Sequence, residues 1–233
     1  MRKRKRITRP KQQRVLDQQF IASQLNPFRQ ALQGGVGKML TFSSGRFNPK
    51  AYSRCSSYGV FDRKNHVDHG KPKIALIVDC SGSMGGYDGP IDAAAEMCAI
   101  LSRLHQSDSI EARVFCTGSP TGPFQVPMPQ SDMVWEHLMA PHGQEYLSQT
   151  FLKFRHKITE CDLVACYTDA DIADRMLSPK LWRTHGKSCV GLYCGDMRQL
   201  SVMRRYFDHA IAREEKADLF LEYLRLVKRL IQK

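Results

Sequence analysis

No stretch of this 233-residue sequence is apolar over anything near the roughly 20 residues that a membrane-spanning helix needs. Its polar, arginine-rich start also lacks the apolar centre of a secretory signal peptide, which points to a cytoplasmic product. Acid is scarce at the same end. Residues 1–73 hold 17 Lys and Arg against 3 Asp and Glu, a net +14, and residues 74–233 hold 18 against 20, a net −2, which together give the +12 of the whole chain. The first 14 residues include Arg2, Lys3, Arg4, Lys5, Arg6, Arg9, Lys11 and Arg14 and no acid. Such a run repels itself and is attracted to nucleic acid or to an acidic protein surface, or it is simply a solvated tail. It contains no aromatic residue for base stacking, and no nucleic-acid-binding motif follows it. Residues 1–30 are therefore expected to be a basic, flexible arm, 31–72 a lead-in, and 73–233 one domain.

Nucleotide and zinc signatures are missing too. "GGVGKM" (Gly34–Met39) resembles a phosphate loop, but Leu32 stands where a glycine is required and Met39 where a magnesium-binding Ser or Thr belongs. Of the 8 cysteines, Cys80, Cys98, Cys116, Cys166 and Cys189 fall inside apolar runs where a thiol packs as a small hydrophobe, and they are expected to be reduced. The pairs Cys161/Cys166 and Cys189/Cys194 lie in or beside expected strands and lack the turn geometry of zinc knuckles. No Ser-His-Asp order and no HExxH helix is found, so hydrolytic machinery is not legible. His66 and His69 read as a surface pair, and His105, His137, His142 and His185 form no cluster.

What is present is "IALIVDCSGSMGG", Ile74–Gly86. Four aliphatics among five residues, Ile74–Val78, are too few for a helix and too apolar for a sheet edge, and they predict a central parallel strand. After Pro90, the residues Ile91, Ala94, Ala95, Cys98, Leu101 and Leu104 recur at helical spacing. The pattern is strand, tight glycine-bearing loop, helix. In open α/β sheets ligands bind at the carboxyl ends of the strands, and here that place carries Asp79, Ser81 and Ser83 at alternate positions. Three oxygen donors suit a hard divalent cation, Mg²⁺, Mn²⁺ or Ca²⁺, rather than zinc. Capping of a helix or of loop amides needs one such side chain, not three.

Further strands are expected at Ile110–Cys116, within Asp162–Asp171, which ends in the acids Asp169 and Asp171, and at Ser188–Asp196. A proline-rich loop with a short strand at Phe124–Val126 and a helical turn at Trp135 lies between the first two. A helix is expected over Leu147–Lys157, and Phe220, Tyr223, Leu224, Val227 and Leu230 mark one stripe of a C-terminal helix. The fold class is thus α/β, a doubly wound, mainly parallel, Rossmann-like sheet flanked by helices with a basic N-terminal extension. Asp171 reads as a solvated or capping acid and Asp196 as a turn residue.

A strand followed by Asp-x-Ser-x-Ser, with a later strand ending in Thr-Asp, resembles the von Willebrand factor A (VWA) domain and its metal-ion-dependent adhesion site, over Lys73–Lys233. Within that group "SSGRFNPKAYSR", "VFDRK" and "MRRYFDHAI" resemble the flanks of the VWA domain in the large subunit of aerobic cobaltochelatase. The resemblance implies that Ser81 and Ser83 give hydroxyl oxygens to the ion, that Asp79 and Asp169 hold it largely through waters, and that one position stays open for a partner's carboxylate. The loop "PHGQEYLSQTF" lacks the family's usual threonine; Glu145 is the best substitute and Gln144 the second. An added anion there weakens the ion's pull on a partner. The function so implied is non-catalytic docking with an AAA+ ATPase of the MoxR or cobaltochelatase type, or with a protein bearing an exposed acid. The alternatives are a nucleic-acid-associated protein that uses the arm with the domain as scaffold, and a metal-using phosphotransfer enzyme.

Overall fold

The computed structural model describes residues 16–32, 36–41, 46–47, 49–53, 61–66, 71–85, 90–118, 122–138, 146–172, 174 and 176–231. Among these, no helix is long and apolar enough to cross a membrane. The N-terminal part carries α1 (Gln18–Leu32), β1 (Val36–Thr41), β2 (Arg46–Phe47), α2 (Pro49–Ser53) and β3 (Phe61–His66). Strands β1, β3 and β2 make a small antiparallel sheet in that order, with Val36 opposite His66.

The main sheet is built from β4 (Lys73–Val78), β5 (Glu111–Cys116), β6 (Phe124–Val126), β7 (Leu163–Tyr167), β8 (Cys189–Cys194) and β9 (His209–Arg213), in the spatial order β6-β5-β4-β7-β8-β9. All neighbours are parallel except the edge pair β5–β6. The strands expected from aliphatic runs are present, and Ile74–Val78 lies buried in the interior of the sheet. The connecting helices are α3 (Pro90–Gln106), α4 (Asp132–Leu138), α5 (Leu147–Thr159), α6 (Pro179–Thr184), α7 (Gln199–Met203) and α8 (Lys216–Ile231).

Side chains alternate across the strands, so the sheet feeds two cores. Ile74, Leu76, Val78, Leu163, Ala165 and Tyr167 face a layer that includes Met97, Leu101, Leu104 and Val227 of α3 and α8. Ala75, Ile77, Val164 and Cys166 face the opposite layer with Phe151, Trp182, Met203 and Phe207. Gly191 of β8 points into the second layer, where any Cβ would lie 2.3 Å from the Phe207 ring. Only a residue without a side chain leaves that ring its place.

One sequence expectation needs correction. The flexible arm drawn to residue 30 does not extend that far, because Gln18–Leu32 is helix and packs against α3 and α8. Ile21, Phe28, Ala31 and Leu32 are buried, and Phe28 meets the rings of Phe220 and Tyr223 at 6.2 and 6.0 Å. Asp17 caps the helix through the Phe20 N–H, at 2.9 Å. Its own N–H donates to Glu96 Oε1 at 3.2 Å, and Lys216 Nζ bridges Glu96 and Asp17 at 2.8 and 3.2 Å. Burial pushes the Glu96 carboxyl up although Lys216 pulls the other way. The basic residues 2–14 lie outside the described residues.

Because Phe28 fills a closed site between helices, Phe28→Ala should lower the unfolding free energy by about 3–5 kcal/mol. The exposed change Gln30→Ala, on the same helix, should stay within about 0.5 kcal/mol. Urea unfolding of both variants checks this, and a loss below about 1 kcal/mol for Phe28→Ala would show that α1 is not part of the folded unit.

Candidate metal centre

The chain runs from β4 through α3 to β5 on one side of β4, and later returns to β7 on the other side. The crevice between the carboxyl ends of β4 and β7 is therefore the point where the winding reverses, the place where open α/β sheets bind ligands. Asp79 stands there. Its N–H still donates to the Tyr167 carbonyl at 2.8 Å, one rung beyond the last residue of β4. Across the crevice, Thr168 and Asp169 follow β7 directly.

The Asp79 carboxylate is fully buried and each oxygen is engaged. Thr168 Oγ1 donates to Oδ2 at 2.8 Å, and the Ser81 N–H donates to Oδ1 at 2.9 Å. The loop then bends into a single 3-10 turn, Gly82–Met84. Ser81 Oγ and Ser83 Oγ lie 3.0 Å apart; Ser81 is buried and Ser83 exposed, so the pair leads from the interior to the surface. Asp169 is 8% exposed and accepts the Asp171 N–H on Oδ1 at 3.1 Å. Ala170, between these two acids, holds the left-handed conformation at φ 64°. For a residue with a Cβ that geometry costs about 1–2 kcal/mol, spent here on the turn that presents Asp169.

Burial pushes the Asp79 carboxyl above its ordinary range, against the pull of the Ser81 and Thr168 hydrogen bonds, and the nearby charge of Asp169 adds to the rise. Neither acid is paired with a Lys or Arg among the described residues. Two like charges and two hydroxyls at one crevice, without a cation from the protein, match the donor set of a hard divalent ion. The same residues form no cluster of three or more His, Cys, Asp or Glu, because half of the set is serine.

Asp79, Ser81, Ser83 and Asp169 are thus brought to one end of two adjacent strands. Glu145 and Gln144 lie outside the described residues. Asp171 is exposed, and Asp196 binds Arg198 in the turn after β8 through its N–H at 2.9 Å and its guanidinium at 2.6 Å. The seven described cysteines are free thiols, six of them buried.

Sequence reasoning missed the residues that hold the loop in place. Thr117, the residue after β5, accepts the Cys80 N–H on Oγ1 at 3.0 Å while its own N–H donates to Val78 O at 3.0 Å. The signal was a hydroxyl directly after an apolar strand, as at Thr168. Asp174 accepts the Ser148 N–H and hydroxyl, both at 2.8 Å, which ties the loop after β7 to the start of α5. Tyr193, at the end of β8, is close enough to Asp169 that the carboxylate adds to the burial that raises its phenol.

The raised Asp79 carboxyl fixes a pH dependence. A folded-state pKa above the unfolded value favours the neutral acid, so the contribution to stability is complete below the unfolded pKa and is lost as pH rises through the folded one. In the presence of chelator, Asp79→Asn removes this ionisation, and its Tm relative to wild type should increase as pH rises above the ordinary carboxylate value of 3.8 and level off once pH passes the raised folded-state value. A difference that shows no rise above that value, or that narrows with pH, in thermal melts would contradict the buried, uncompensated carboxylate.

No family model and no curated protein matches the chain. Three solved structures are similar to it over 70% of its length. They are the SpRpn10 VWA domain (TM-score 0.48, 10% identity, 98% of that chain covered), the pilus adhesin SpaC from Lactobacillus rhamnosus GG in its open conformation (0.44, 13%, 30%), and a von Willebrand factor type A protein from Catenulispora acidiphila (0.42, 10%, 43%). The chain therefore spans less than half the length of the last two, and at these identities the likeness is one of backbone course.

Proposed function

We propose that this is a VWA-type, metal-dependent protein-binding domain, in which Asp79, Ser81, Ser83 and Asp169 hold Mg²⁺, or Mn²⁺ or Ca²⁺, with Glu145 or Gln144 as the further oxygen donor. The observation that carries the reading is the meeting of two serine hydroxyls, 3.0 Å apart, with two carboxylates that have no basic partner among the described residues, at the β4/β7 crevice. Bound there, the ion supplies positive charge and an exchangeable position for an oxygen ligand. The chain's own part is to keep the donors aimed. Thr168 and the Ser81 amide pin Asp79, Thr117 pins Cys80, and Ser83 stands at the mouth where a partner's acid would arrive. A carboxylate is the fitting partner group, since it adds a charge-assisted bond to an ion whose protein ligands include neutral hydroxyls.

Partner identity rests on the sequence resemblance. We propose an AAA+ ATPase of the cobaltochelatase or MoxR type, or a target protein bearing an exposed Asp or Glu, with any ATP turned over by the partner. The basic residues 2–14 support a separate reading as a nucleic-acid contact, which would weaken steeply with salt whatever happens at the ion.

Millimolar Mg²⁺ or Mn²⁺ should raise the Tm of the wild type, by about 2.7 kcal/mol of stabilisation at one hundred times the dissociation constant. Ser81→Ala combined with Ser83→Ala should fold and lose that response. Calorimetry with and without chelator reads both, and a wild type indifferent to the ion would remove the metal reading. If an AAA+ protein or acidic target is captured from the host at millimolar Mg²⁺, chelator should release it; retention in chelator would place the interface elsewhere.

A further inference from the structure

The sheet has two edges, and they differ. β6 is three residues long and lies between Pro123 and Pro127, a poor template for further pairing. β9 at the other end is five residues long and contains no proline, and among the described residues no strand covers its outer side. Alternate N–H and C=O groups point away from β8, as in any edge strand, and of these the Ala212 carbonyl accepts a hydrogen bond from the Arg213 guanidinium at 2.6 Å.

Beside this edge, between β9 and α8, lies a groove of about 470 Å³. Ile211 and Leu226, both 7% exposed, give it an apolar floor. Its charges are unequal in availability. Asp208 is engaged by Arg183 at 2.6 Å and by the Cys189 N–H at 3.1 Å, and Glu222 is ion-paired with Arg213. Arg204, Arg225 and Arg229 also line the groove, all exposed, and none has an acidic partner among the described residues. The acids are neutralised in place and three guanidinium groups remain available to a ligand.

We propose that the β9 edge and this groove bind an acidic peptide segment of a partner in extended conformation, added as a further strand beside β9. An extended segment alternates its side chains between faces, so acids at every second position can meet the arginines while the backbone pairs with β9. A compact phosphate is a poorer fit, since it would leave the strand edge unpaired and sit close to Asp208 and Glu222. The chain's own residues 2–14 are excluded by like charge, and a second copy would bring three more arginines against the first three. This surface is separate from the ion crevice, because β9 is three strands from β4, about 14 Å across the sheet.

The test uses the full chain in chelator and a fluorescein-labelled peptide of alternating glutamate and threonine, read by polarisation. Wild type should bind it, and Arg225→Glu with Arg229→Glu should weaken binding about tenfold or more without moving the Tm. N-methylation of alternate peptide residues, which keeps every charge but removes backbone donors, should weaken it by a similar factor. Ser81→Ala with Ser83→Ala should leave it unchanged, so failure here and failure of the metal reading are distinguishable. Should the double arginine variant melt early, Arg204→Glu carries the same comparison. The proposal is overturned by a wild type that does not bind, by variants that bind as wild type does, which would assign capture to the basic residues 2–14, or by indifference to N-methylation. A concentration-dependent dimer in sedimentation that is lost on charge reversal would make a second copy the occupant and overturn it equally.

Discussion

A carboxylate closed off from water at the end of a strand inside the sheet sets the terms for everything around it. Asp79 cannot shed its charge into solvent, because the ends of β5 and β7 stand on either side of it. It needs donors from the protein, and the neighbouring strands provide them in the residues that follow their last ladder rung. Thr168 after β7 reaches the acid itself, and Thr117 after β5 reaches the amide next to it. These contacts hold the carboxylate but do not neutralise it, since hydroxyls and amides carry no net charge. Burial therefore raises the cost of its charge and pushes the carboxyl above its ordinary range, and among the described residues no Lys or Arg is paired with it.

The loops beyond the two strands give the crevice a shaped mouth. The loop after β4 passes through the 3-10 turn Gly82–Met84 and leads to α3, which belongs to one core layer. The loop after β7 runs through the left-handed Ala170 to Asp174, which grips Ser148 at the start of α5 in the other layer. Each side of the crevice is thereby anchored to a different helical layer. A displacement of α5 would be felt at Asp169 through a few bonded residues, whereas Ser81 and Ser83 would follow α3.

Much of this was legible in the sequence because it depends on periodicity. The strand Ile74–Val78, the helix after Pro90 and the C-terminal stripe all carry long apolar repeats, and the acid and serines after the strand mark its carboxyl end. The threonines that support Asp79 were harder to read, since a hydroxyl after an apolar run acquires its role only when the neighbouring strand is known. β9 was missed because His209–Arg213 contains one strongly apolar residue, Ile211, and an edge strand needs little more. Helix α1 was hidden by the charge around it. Ile21, Phe28 and Leu32 recur at helical spacing, but the cations before them and Pro27 among them drew the reading toward an arm.

The docking of α1 has a geometric consequence for one rim of the sheet. Asp17 is held beside Glu96, two turns into α3, and beside Lys216 at the start of α8. Helix α3 begins, and β9 hands over to α8, at the same rim of the sheet where Asp79 stands. The first turn of α1 is therefore held beside the rim at which β4 and β7 end. Loss of the contacts among Asp17, Glu96 and Lys216 would loosen α1, α3 and α8 together, so the N-terminal helix closes the domain at the same rim where its candidate site opens.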